Sequence, residues 1–398
     1  MRSELGEGPL VVAGAGYAGL TVAQEVHRRS RGALPTVLVD RHPVHVLRTE
    51  LYEIGRMAAE GSRSADWIVP LAEVFDRSLV ELREGEVEGI DLEARTLTLS
   101  SGEIAFGALV VALGNVAAYY GVEGAREHTH QVYRLSGALA LARRLREVML
   151  GSADLPGERR PRVLVVGGGA TGTEVAAEIA TTNWAAVTGR PTRPPDVFLI
   201  TGSLPFLAGL PPGVVERARS LLGRAGVSLV FGLNVRRVES DRLTLEDGTT
   251  LVFDVAVWCA GLEAPPVARQ LPVAHGHAGR LAVDACLELP GHPGVFAVGD
   301  VAEWKDPGDD GSVVPATAQV ALAEARVAAQ NVIARWNGAP LVPFRYRQRG
   351  LVVAVGPRRA AGALGPLTLW SSPAALLKRA VQREYSRAVS HGETSGVI

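Results

Sequence analysis

Leu10-Val11-Val12-Ala13-Gly14-Ala15-Gly16-Tyr17-Ala18-Gly19 decides the architecture. Four apolar residues suit a strand buried in a parallel sheet. Gly14 permits the tight turn out of it, Gly16 lets the backbone approach a pyrophosphate, and Gly19 lets the next helix sit close to the sheet. That helix, read from Leu20 to Arg29, offers unpaired N–H groups and about half a positive charge to an anion. A second apolar strand, Thr36-Val37-Leu38-Val39, ends on Asp40, whose carboxylate can accept hydrogen bonds from a ribose diol. One glycine fingerprint also fits a glycine-rich turn in an unrelated sheet. The flanking strands and the terminal acid point instead to an adenine dinucleotide.

The pattern then repeats. Val163-Leu164-Val165-Val166 leads into Gly167-Gly168-Gly169-Ala170-Thr171-Gly172 and a helix from Thr173 to Ala180. An internal echo of strand, glycine turn and helix is far more specific than one copy. Its second strand, Val197–Ile200, runs into Thr201-Gly202-Ser203 and carries no terminal carboxylate. Ala108–Gly114 and Val255–Gly261 read as return strands that end in glycine. Val295–Val298 delivers Gly299 and Asp300 to the carboxyl edge of a sheet, where ligands of such folds bind. A long helix from Ala316 to Trp336 follows.

Composition narrows the function. The chain has 398 residues, room for about two or three domains, and is 47% hydrophobic, so large cores can be buried. A net charge of −1 gives no reason to expect nucleic acid. Cys259 and Cys286 form no CxxC pattern, which argues against a disulfide framework, a thiol redox centre or a zinc site; no metal ligand set is read. No apolar run approaches the roughly 18 residues of a spanning helix, and no signal core precedes the first strand, so a reducing cytoplasm is the default.

The other segments read more coarsely. Residues 41–80 look irregular, with short helical pieces. Val80–Leu82, Glu86–Ile90 and Arg95–Leu99 read as an antiparallel piece, and Leu135, Leu139, Leu141, Leu145 and Val148 mark a helix over 135–150. A linker covers 151–161, a proline-containing insertion 183–195, and a hairpin turns at Asp247-Gly248. Residues 340–398 read as two strand-like pieces and a helix from about Pro373 to Val389. Leu376, Leu377, Ala380, Val381 and Tyr385 fall towards one face of that helix, with Lys378, Arg379, Arg383 and Arg387 supplying charge. This fits a membrane interface, and equally a helix docked on the body.

Two glycine fingerprints followed by Gly299-Asp300 resemble the two-dinucleotide flavoproteins. Within them the chain resembles the type II NADH dehydrogenases, the single-subunit NADH:quinone oxidoreductases. The resemblance is carried by His45-Val46-Leu47 with Leu51-Tyr52-Glu53, Val110–Gly114, Ala170–Glu174, Trp258–Gly261, Pro315–Gln319 and Ala375–Arg379. It implies an α/β fold of two Rossmann-like, three-layer ββα dinucleotide-binding domains, the second inserted in the first, plus a small C-terminal region ending in a helix. The expected division is 1–117 with 263–338 for FAD, 118–262 for NAD(P)H, and 339–398 as a membrane-interface or dimer element.

The resemblance also implies roles. Gly14, Gly16, Tyr17, Ala18, Gly19, Asp40, Arg41, Ala112, Gly114, Gly299, Asp300 and Ala318 are expected at FAD, with Asp300 on the ribityl chain. Gly167, Gly169, Thr171, Gly172 and Gly261 are expected at NADH or NADPH. Gln319, Glu174 and Lys378 are expected near a quinone-like acceptor. Thr201 stands where family members often carry a ribose-binding Glu, and Ala323 where they often carry a second Gln. The C-terminal region is short beside members with a long membrane-binding tail. The expected location is cytoplasmic or peripheral on the inner face of the cell membrane, and the sequence leaves a homodimer open. Rival readings are a sulfide:quinone oxidoreductase, a soluble reductase of a protein acceptor, and a non-catalytic nucleotide-sensing flavoprotein.

Overall fold

Strands rich in Val, Leu and Ala, with one charged edge strand, build two parallel sheets. A computed structural model describes residues 7–60, 67–75, 80–152, 160–306, 313–348, 350–365 and 367–390. The first sheet has five strands, in the order Val295–Ala297, Ala108–Val111, Leu10–Ala13, Thr36–Asp40 and Glu81–Glu84, all parallel. The second has four, in the order Val227–Phe231, Asp196–Thr201, Arg162–Val166 and Val255–Trp258, again parallel. Residues 295–297 thus return to the first sheet after the chain has built the second.

Side chains alternate across each sheet and so feed two cores. Leu10 and Val12 pack under the helices Tyr17–Ser30 and Ala318–Asn337, while Val11 and Ala13 pack against a three-stranded antiparallel meander over 87–105. In the second unit Val163 and Val165 face the helix side, and Leu164 and Val166 face a meander over 235–252. Burial on both faces explains why the strands read as unbroken apolar runs. Ala325, Ala328 and Ala329, all fully buried, let the long helix lie close to Tyr17–Ser30.

Three expectations need correction. The run beginning at Val80 is not part of the antiparallel piece. Glu81–Glu84 pairs in parallel with Thr36–Asp40 as the sheet edge, where one unpaired side tolerates charged residues. The C-terminal region holds three strands rather than two: Gly350–Ala354, Ala360–Leu364 and a short edge strand Leu367–Trp370. The apolar face assigned to the last helix splits. Ser371–Ser390 docks through Ala374, Ala375, Tyr385 and Val389, whereas Leu376 is 61% exposed. The insertion over 183–195 contains a helix, Trp184–Thr188, capped by the Asn183 side chain. Most of the linker, 153–159, lies outside the described residues.

The C-terminal region bridges the units. Val353, Val355 and Ala361 of its sheet join the core of the second unit, and Tyr385 and Val389 of its helix join the core of the first. Leu51, Ile54, Met57 and Trp67, early in the chain, also pack into the second unit's core. The two parallel sheets are therefore clamped at a shared seam.

Candidate active site

The two glycine turns have the same stereochemistry. Gly14 and Gly167 have φ of +107° and +122°, which favours glycine, and a Cβ on either would strike the carbonyl of the return strand, at Ala112 or Cys259. Both donate N–H to the neighbouring strand, Gly14 to Val39 at 2.7 Å and Gly167 to Ile200 at 2.8 Å. A Cβ on Gly19 or Gly172 would strike the carbonyl of Gly14 or Gly167. Those four glycines are needed by the fold itself.

Gly16 and Gly169 differ from them. They precede their helices with ordinary φ of −72° and −78°, no side chain caps either helix, and a Cβ on either would meet nothing within 4 Å. Neither backbone strain nor packing requires glycine there. Open space beside uncapped helix N–H groups fits a diphosphate that approaches the backbone.

Around the first cradle, the carboxylate of Asp40 accepts the N–H groups of Ala15 at 2.8 Å and His42 at 3.1 Å. Arg41 pairs with Glu86 at 2.9 Å. Asp300 accepts from Asn115 Nδ2 at 2.6 Å, and Asn115 Oδ1 accepts from Arg48 at 2.8 Å. The Arg48 guanidinium also lies 3.0 Å from where a Cβ on Gly114 would stand. Burial, and then the charge of Arg41, push the Arg134 guanidinium below its ordinary range, with the Glu86 carboxylate acting the other way. The N–H of Gly299 is held at 2.6 Å by Glu324, whose carboxyl is pushed up to about 8 by burial and so keeps its proton at neutral pH.

The long helix begins at Ala318 with Thr317 as its cap, the Thr317 hydroxyl accepting from Val320 N–H at 3.3 Å. Gln319 accepts the Tyr346 hydroxyl on Oε1 at 2.8 Å. This fixes the amide orientation and points the NH2 end away from Tyr346.

Glu174 and Lys378 are 204 positions apart and in direct contact, with side chains 11% and 15% exposed. Glu174 also accepts the Ala354 N–H at 3.0 Å, and the Lys378 ammonium sits 4.4 Å from the Tyr52 ring centroid. A cavity of about 230 Å³ opens here, lined by Tyr52, Glu53, Glu178, Arg359 and Lys378 among others. Burial, and then the Glu53 charge, push the Glu178 carboxyl up to about 7. The pair thus belongs to the seam between the C-terminal region and the second unit.

In the second cradle, Thr171 lies in the first turn of Ala170–Thr181, and a Cβ on Gly261 would meet the Tyr120 hydroxyl. Cys259 is buried there, and burial pushes its thiol up to about 12. Cys286 sits elsewhere, its carbonyl accepting from Asn331 at 2.8 Å. Neither cysteine is an accessible low-pKa thiol of the kind a sulfur relay needs.

Sequence reasoning gave no role to Arg48, Asn115, Glu324 or Tyr346. Asn115 had a usable signal, since it directly follows a strand-ending glycine at the carboxyl edge of the sheet. The other three are placed only by long-range packing.

Two nucleotide cradles clamped at one seam define a two-dinucleotide oxidoreductase. The chain belongs to the pyridine nucleotide-disulphide oxidoreductase family, which residues 8–325 match. It is 32% identical over 367 residues to an NADH dehydrogenase-like protein of Mycobacterium tuberculosis, covering 89% of this chain and 86% of that one. It is 28% identical over 381 residues to the demethylphylloquinone reductase NdbB of Synechocystis, covering 93% and 90%. The solved structure of NDH2 from Plasmodium falciparum in complex with NADH has the same fold, with a TM-score of 0.81, 14% identity and coverage of 95% and 94%.

Proposed function

We propose that this chain is an FAD-dependent NAD(P)H dehydrogenase that delivers two electrons to a quinone-like acceptor. The observation that carries the reading is the doubled cradle, with Gly16 and Gly169 both facing open space. In this reading residues 1–117 and 263–338 hold FAD and residues 118–262 hold the nicotinamide nucleotide. When bound, FAD supplies what the side chains lack: it accepts hydride from the dihydronicotinamide and passes the electron pair on. The overall balance is NAD(P)H + H⁺ + quinone → NAD(P)⁺ + quinol, so one proton per turnover is drawn from solvent.

The side chains bind and orient. The N-terminus of Tyr17–Ser30 and the arginines beside it hold the flavin diphosphate, and Asp40 takes the ribose diol. Asp300, aimed by Asn115, accepts from the ribityl hydroxyls. The N-terminus of Ala318–Asn337 would favour negative charge placed before it. Gln319, with Oε1 engaged by Tyr346, presents its NH2 group to an acceptor carbonyl. Glu174 and Lys378 form an ion pair at the seam, beside the cavity. The relatives named for NADH and for a quinone support this reading.

The acceptor side fits a lipid surface. Leu364, Leu367, Trp370 and Leu376 are exposed on the C-terminal strands and helix, and Arg379, Arg383 and Arg387 are exposed along the same helix. Apolar side chains flanked by cations suit peripheral contact with anionic lipid. Among the described residues no helix is long and apolar enough to cross a membrane.

The test is purification followed by flavin extraction and steady-state NADH or NADPH oxidation with a menaquinone analogue. Yellow protein with one releasable FAD per chain and nucleotide-dependent quinol formation is expected. Folded but colourless protein, or a flavoprotein that oxidises neither nucleotide, contradicts the proposal.

A further inference from the structure

Thr201 ends its strand where Asp40 ends the corresponding strand of the first unit, one residue beyond the carbonyl that receives the glycine N–H. The Asp40 carboxylate holds the Ala15 N–H. Thr201 is 1% exposed, and its methyl packs where a Cβ on Gly168 would stand. The second cradle has no acid at the end of its own second strand.

An acid arrives from another strand. Asn234 precedes the meander strand Val235–Val238, and its Oδ1 accepts the Ser203 N–H at 3.0 Å. This oxygen lies so close to Gly202 that a Cβ there would overlap it. Asn234 Nδ2 donates to both carboxylate oxygens of Glu246, each at 3.1 Å. The Glu246 N–H donates to the Asn234 carbonyl at 3.0 Å, so backbone and side chain hold the two residues together. Glu246 is exposed and stands just before the Asp247-Gly248 turn, next to the loop that leaves Thr201.

We infer that Glu246, aimed by Asn234, reads the adenosine ribose of the nicotinamide nucleotide and selects NADH over NADPH. This rests on the reading of residues 118–262 as the nicotinamide unit. The carboxylate accepts hydrogen bonds from the ribose hydroxyls, the task Asp40 performs in the first unit. A 2′-phosphate replaces the 2′-hydroxyl donor with an anion that meets like charge. Asn234 is a positioning residue, since its amide fixes the carboxylate without touching the ribose.

The experiment is calorimetric titration of the flavin-loaded protein with ADP-ribose and with 2′-phospho-ADP-ribose. Wild type is compared with Glu246→Gln, Glu246→Lys and Asn234→Ala, with flavin absorbance confirming that each variant is folded. Wild type should bind ADP-ribose at least about tenfold more tightly than its 2′-phosphate. Glu246→Gln should bring the ratio close to one, Glu246→Lys should invert it, and Asn234→Ala should fall between wild type and Glu246→Gln. A ratio unchanged in Glu246→Gln, or a wild type that prefers the 2′-phosphate, overturns the inference. Flavin reduction by NADH in the same samples tests the dehydrogenase reading separately. Selective binding without reduction would remove that activity and leave the ribose assignment standing.

Discussion

Tyr385, near the end of the C-terminal helix, stacks on Tyr17 of the first glycine turn, with ring centroids 4.5 Å apart and planes 24° from parallel. Its hydroxyl meets His45 Nε2 at 3.1 Å, and His45 Nδ1–H donates to the Ala15 carbonyl inside the turn at 2.8 Å. The last helix therefore braces the first glycine turn. Tyr385→Ala should cost about 3 kcal/mol through the cavity it leaves, and should speed FAD release. Tyr385→Phe keeps the stack and should cost about 1 kcal/mol. Denaturant unfolding and flavin loss on gel filtration measure both effects.

The glycines separate fold from ligand. Gly14→Ala places a Cβ against the Ala112 carbonyl at a φ of +107°, so it should lower stability by about 1 kcal/mol or more and lose flavin. Gly16→Ala has room and an ordinary φ. The apoprotein should unfold at the wild-type midpoint while FAD affinity falls at least about tenfold. Gly169→Ala should keep flavin and lose nucleotide affinity instead. Thermal melts of apoprotein and holoprotein distinguish the three variants.

Two buried groups set opposite pH slopes. Burial lowers His45 from 6.5 to about 4, so below 6.5 only the unfolded chain takes up its proton, and stability falls as pH drops through that window. Burial raises Glu324 from 4.5 to about 8. Above 4.5 the unfolded chain ionises while the folded one stays neutral, so this group's contribution falls as pH rises from 4.5 to about 8. Glu324→Gln removes that slope and still accepts the Gly299 N–H. Its melting temperature minus that of wild type should grow with pH and level off above about 8. A difference that stays flat would exclude a neutral Glu324.

Glu174 and Lys378 lie close together with little exposure. Lys378→Met leaves a largely buried carboxylate that keeps the Ala354 N–H but loses its cation, and should cost about 3 kcal/mol. Adding Glu174→Gln should recover part of that loss. If the pair serves the acceptor, Glu174→Gln should slow flavin reoxidation by a quinone about tenfold or more. Flavin reduction by nucleotide should stay within about twofold of wild type. Rapid-mixing traces of the two half-reactions give the split.

Both glycine cradles were legible because they are local: a strand, a turn and a helix read from consecutive residues. The strand positions were legible because both sheet faces are buried and the sequence is apolar throughout. Glu81–Glu84 was misplaced because nothing in Glu-Leu-Arg-Glu distinguishes a parallel edge from an antiparallel hairpin. Partners across the chain were invisible for the same reason. Arg48 reaches Asn115, Gln319 reaches Tyr346, and Glu246 reaches Asn234 only after packing brings separate elements together. The face of the last helix was misjudged because Leu376 and Tyr385 both look apolar, and only the core it docks on decides which of them is covered.

In the proposed reading, two nucleotides meet at one seam. Anaerobic stopped-flow mixing of the yellow protein with NADH, followed by a menaquinone analogue, tests it most directly. Complete bleaching of the flavin band by the first reagent and its full return with the second are expected. A flavin that NADH leaves oxidised, in protein that binds the nucleotide, would contradict it.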